Sequence, residues 1–137
     1  MKLLIIALIT SAFLNINSCK NNPVGPKPEN RNPLILSLNV FPKIVKPTDS
    51  LIVICDAMDP DADTLVYDWY TTGIVKIKGA HDCCAFYNTH QNSQIFYAPD
   101  SANVVSPLDT LWVECAARDG KGGQAVRTVL FFVTKDF

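Results

Sequence analysis

The chain has 137 residues, 48% of them hydrophobic and 18% charged, with 9 Pro and 6 Gly. That length holds one domain of the usual size, about 100 to 200 residues, and the composition excludes a disordered, collagenous or coiled-coil chain. Charge nearly cancels, at -1 from 12 basic and 13 acidic residues with no basic cluster, so no nucleic-acid partner is expected.

Residues 1–18 follow the plan of an export signal: a cation at Lys2, an apolar run from Leu3 to Leu14, and a small residue at Ser18. The run of about 12 residues is too short to span a bilayer, which takes roughly 20. Ile16-Asn17-Ser18-Cys19 resembles the bacterial lipobox. That resemblance implies cleavage after Ser18, lipidation of the Cys19 thiol, and a membrane anchor worth about 0.8 kcal/mol per buried CH2 of each acyl chain. Residues 19–33 follow as a tether. Between Lys20 and Pro33 there are four prolines, four asparagines and a single aliphatic residue, a composition that favours an extended, semi-rigid spacer of about 3 Å per residue. Lys20 stands where inner-membrane lipoproteins of enteric bacteria carry aspartate, so the same resemblance implies the outer membrane of a cell envelope.

From residue 34 to 137 the pattern is all-β. Short runs of β-type residues alternate with turn residues, and no stretch sustains a helical period. Strands are expected at residues 34–41, 50–58, 64–71, 74–78, 94–97, 110–118 and 124–133, about seven in all. In the second run Leu51, Val53, Cys55 and Ala57 share one face, and in the sixth Leu111, Val113, Cys115 and Ala117 do the same, which directs both cysteines inward.

With Trp69 on the run between them, the order Cys55, Trp69, Cys115 is similar to that of strands B, C and F in an immunoglobulin-like β-sandwich. The resemblance implies a Cys55–Cys115 bridge between the two sheets, which an oxidising compartment permits; two buried free thiols are the alternative. Asp59-Pro60-Asp61-Ala62-Asp63-Thr64-Leu65-Val66-Tyr67-Asp68-Trp69, then Tyr97-Ala98-Pro99 and Asp119-Gly120-Lys121-Gly122-Gly123, resemble polycystic-kidney-disease (PKD) repeats over roughly residues 49–133. Ala62 replaces the usual glycine, and residues 79–93 form an insert without a counterpart. Such repeats are extracellular spacers or modules that contact proteins and glycans.

Two clusters carry possible chemistry. Asp59, Asp61 and Asp63 have the one-three-five spacing of Ca2+ ligands, but Thr64 and Tyr70 replace the glycine and glutamate of an EF-hand, leaving a looser Ca2+ site or a hydrogen-bonded turn. The insert holds His81, Asp82, Cys83, Cys84 and His90. Adjacent cysteines suit zinc poorly. If Cys19 is lipidated, four cysteines remain and allow three complete pairings, and the one that keeps Cys55 with Cys115 forces Cys83 onto Cys84; such a strained vicinal disulfide would be a redox site. The insert also contains the residue types of a Cys–His hydrolase, though nearness in sequence says little about geometry. The expectation is a non-enzymatic module without a cofactor, held to the membrane by Cys19 and meeting a protein or, alternatively, a glycan on aromatic side chains. Phe86, Tyr87, Phe96 and Tyr97 are candidates, with burial in the core as the alternative for aromatics alternating on short strands, and Trp112, Tyr70 or Tyr87 coplanar on one face would favour the glycan.

Overall fold

The computed structural model describes residues 25–81 and 84–135. The export signal, Cys19, Asp82 and Cys83 lie outside the described residues. Among the described residues nine strands form two sheets: β1 (Leu34–Phe41), β2 (Ile44–Val45), β3 (Ser50–Met58), β4 (Val66–Thr71), β5 (Lys76–Ile77), β6 (Ala85–Thr89), β7 (Ser93–Tyr97), β8 (Leu108–Arg118) and β9 (Gln124–Thr134). One sheet runs β1-β3-β7-β5 and the other β2-β9-β8-β4-β6, together a β-sandwich. All pairings are antiparallel except β2 with β9.

The seven expected strands are all present, and β1 and β3 keep their expected limits. Two more were not foreseen. β2 is two residues long and is defined by its partner β9 rather than by any repeat of its own. β6 lies in the insert and pairs with β4 at the edge of the five-stranded sheet.

Alternation places the core. Leu51, Val53 and Cys55 are buried while Ile54 and Asp56 face water, and across the interior Leu111, Val113, Cys115 and Ala117 are buried. Trp69 is opposite Cys115 in register, fully buried, with its ring edge-on to Phe96 at 6.1 Å. Burial of this aromatic and the aliphatics around it is the main favourable contribution to folding. Arg127 of β9 donates to the carbonyls of Ile35 and Leu36 at 3.3 and 2.8 Å, joining β1 of one sheet to β9 of the other.

The insert is held by charge. Arg118 places two nitrogens on the buried Asp68 carboxylate, at 2.8 and 2.9 Å, and donates to Asn88 Oδ1 at 2.8 Å. Asp68 also accepts the Asn88 N–H at 2.8 Å. Asn88 has a φ of 58°, a left-handed conformation that asparagine tolerates better than most residues. Asp68 and Arg118 thus fix the point where β6 departs from regular pairing.

Candidate functional site

The β3–β4 and β8–β9 connections meet beside the N-terminal arm. In the first, Asp59 Oδ1 accepts the N–H groups of Asp61 and Asp63 at 2.8 and 3.2 Å, the side-chain-to-backbone pattern that makes aspartate a turn residue. In the second, Asp119 Oδ1 accepts the N–H groups of Lys121 and Gly123 at 2.7 and 2.9 Å. Each loop folds around its own carboxylate, and the two carboxylates then face each other. Asp59, Asp63 and Asp119 bring one oxygen apiece within 4.8 Å of one another.

The expected aspartate triad is therefore divided. Asp61 is exposed and turns to Arg31, accepting its N–H at 2.7 Å and its Nε–H at 2.8 Å, and these contacts hold its carboxyl below the usual range. Asp119, 56 residues beyond Asp63 in the chain, takes its place. Asn30 donates to Asp119 Oδ2 at 2.6 Å, and this bond, with the loop N–H groups, lowers the Asp119 pKa. Lys121 Nζ sits 2.5 Å from Asp63 Oδ1, a contact that raises the lysine's pKa.

The arm is part of this site. Arg31 also donates to the Pro60 carbonyl, and Pro33 is fully buried, so residues 30–33 of the expected tether dock onto the domain. An open cleft of about 970 Å3 lies between the arm and Asp61 and Lys121. Gly123 permits the approach: a Cβ there would stand 2.1 Å from Asp119 Oδ2 and 3.1 Å from Asn32 Oδ1. Asp59 and Asp63 are visible in the sequence as candidates, whereas Asp119 stands there only as part of the PKD-like Asp119–Gly123 stretch.

The other expected residues fall elsewhere. Cys55 and Cys115 are in side-chain hydrogen-bonding contact at the centre of the sandwich, both fully buried. That hydrogen bond, reinforced by burial, pushes the Cys115 thiol up, and full burial keeps both thiols from surface chemistry. Cys84 is half-buried, its Sγ 3.7 Å from where a Cβ on Gly73 would lie. His90 Nδ1 faces the Leu65 carbonyl at 3.3 Å, and His81 is exposed. The insert borders a second cleft, of about 690 Å3, between β6 and β7.

Of the four expected contact aromatics, Phe96 is core, Phe86 and Tyr97 are half-buried, and Tyr87 is 54% exposed. Tyr87 meets Tyr70 edge-to-face, the rings 5.5 Å apart at 77°, which is not the coplanar platform a glycan reader would use. Trp112, 37% exposed, lies opposite Leu130, 49% exposed, on the same outer face. No helix among the described residues is long and apolar enough to cross a membrane. Comparison with protein-family models, with curated proteins and with solved structures finds no match for this chain.

Proposed function

We propose that this chain is a lipid-anchored, non-enzymatic Ig-like module of a bacterial cell envelope that presents a protein-binding face away from the membrane. The sheet order supports the Ig-like part of the reading. β1-β3-β7-β5 corresponds to strands A-B-E-D, and β9-β8-β4 to G-F-C, with Cys55, Trp69 and Cys115 packed where B, C and F place them. A PKD-like subtype rests on the Asp59–Trp69, Tyr97–Pro99 and Asp119–Gly123 stretches of the sequence. The lipobox-like residues before Cys19 support the anchor.

The observation that carries the binding role is an apolar stripe across the outer face of the five-stranded sheet. Leu130 on β9 lies opposite Trp112 on β8; Tyr70 on β4 is the diagonal neighbour, and Tyr87 on β6 closes the row. Trp and Tyr are enriched in protein interfaces because they bury much area at little entropic cost. The other sheet exposes apolar pairs too, Leu34 opposite Met58 and Phe41 opposite the half-buried Ile52, but without a tryptophan among them.

Two arms of one cellular experiment test this. An alkyne fatty acid should label the chain in growing cells, and Cys19→Ala should abolish the label and release the protein from the membrane fraction. A photo-cross-linking residue at position 112 or 87 should give a discrete protein adduct that the same residue at position 39 does not. Absence of the label removes the anchor; equal or absent adducts from the three positions remove the binding face.

A further inference from the structure

We infer that Asp59, Asp63 and Asp119 form a Ca2+ site at the membrane-proximal end of the sandwich, and that the ion locks the docked arm, through Asn30, onto the domain. Three carboxylates within 4.8 Å repel one another and together make an all-oxygen donor set, which suits a hard cation and not zinc or copper.

A second observation points to a ligand. The Asp59 carboxylate is buried, and its Oδ2, like Asp63 Oδ2, is shielded from water without a hydrogen-bond partner. A buried carboxylate oxygen left in that state is costly unless a cation or donor meets it. The other oxygens are already engaged: Asp59 Oδ1 by two N–H groups, Asp63 Oδ1 by Lys121. What remains are Asp59 Oδ2 and Asp63 Oδ2.

Charge around the site agrees. Asp59, Asp61, Asp63 and Asp119 face two cations, Arg31 and Lys121, a formal surplus of two negative charges that one Ca2+ cancels. Lys121 is 60% exposed on a flexible stem and acts as a weak internal competitor. Asn30 ties the arm to Asp119, the same carboxylate that would bind the ion, so occupancy and arm docking are coupled. Extracellular Ca2+ modules bind with Kd of about 0.1 to 1 mM, and an ion that binds only the folded form raises stability by mass action.

The test uses the full chain purified in detergent and Ca2+ alone as probe, with NaCl of matched ionic strength as control. About 10 mM CaCl2 should raise Tm by roughly 5 to 10 °C and slow tryptic cleavage after Arg31. Asp59→Asn and Asp63→Asn, which keep the turn acceptors, should weaken Ca2+ binding by at least about tenfold. Lys121→Gln should strengthen it, and this variant keeps the inference testable if either asparagine variant fails to fold. A Ca2+ response no larger than that to NaCl, a wild-type response in a folded asparagine variant, or weaker binding in Lys121→Gln would overturn the inference. A Tm shift without protection at Arg31 would overturn the coupling to the arm.

Discussion

The centre of the sandwich and the end that meets the N-terminal arm are built on opposite principles. At the centre, Cys55, Trp69, Phe96 and Cys115 are fully buried among aliphatics, and stability scales with the apolar area removed from water. At the end, three carboxylates crowd together, Gly123 is needed to let one of them in, and an arm with little apolar content is held by Asn30 and Arg31. The first region tolerates no loss of volume. The second depends on charge and answers to pH, ions and backbone geometry.

The difference can be broken open from the centre outward. Trp69→Ala, which empties the largest fully buried side chain, should cost about 4 kcal/mol in urea unfolding and leave at most a marginal fold. A loss under about 1 kcal/mol would mean that the interior had collapsed around the gap or was never close-packed.

Gly123→Ala strikes the end and spares the centre. Its new Cβ collides with Asp119 Oδ2, so the loop or the carboxylate must move, at a cost of about 2 kcal/mol. NMR shift changes should concentrate in residues 30–32, 59–63 and 119–123. Equal changes around Trp69 would contradict the independence of the two regions.

Acid should separate them as well. Asp61 and Asp119 have lowered pKa values in the folded protein, relative to 3.8. Their contribution is therefore complete above about pH 4 and is lost as pH falls through the lower folded values. Below pH 4 the Arg31 amide, bonded to Asp61, should lose its native chemical shift before the near-ultraviolet signal of Trp69 collapses. Simultaneous loss would show one cooperative unit instead.

The smallest expected effect lies in the β3–β4 turn. Ala62 has a φ of 61°, a left-handed conformation that costs a residue with a Cβ roughly 1 to 2 kcal/mol, while glycine loses more freedom on folding. Ala62→Gly should therefore stabilise by about 0.5 kcal/mol, read as a rise of a few degrees in Tm. A lower Tm would mean that the unfolded-chain effect dominates.

The same contrast explains what the sequence disclosed. Alternation is a local property enforced by one large interior, so Cys55 and Cys115 could be directed inward and the limits of β1 and β3 drawn from residue pattern alone. The end of the domain is a meeting of loops distant in sequence. Nothing near Asp119 signals Asp59, and Asp61 seemed its natural partner because spacing along the chain says nothing about which side chain Arg31 will engage. β6 was missed for a related reason: Ala85-Phe86-Tyr87-Asn88-Thr89 is kept at the sheet edge by Asp68 and Arg118, through contacts that no periodicity encodes.

Two facing layers bring positions 55 and 115 together at the centre of the sandwich, and disulfide mapping tests this most directly. Peptide mapping of the unreduced, mildly oxidised chain should recover one linked pair joining the Cys55 and Cys115 peptides, with 2-mass-unit gain on reduction corresponding to that single bond. Linkage of either residue to Cys83 or Cys84 would contradict it, because both inward positions could not then face each other across the core.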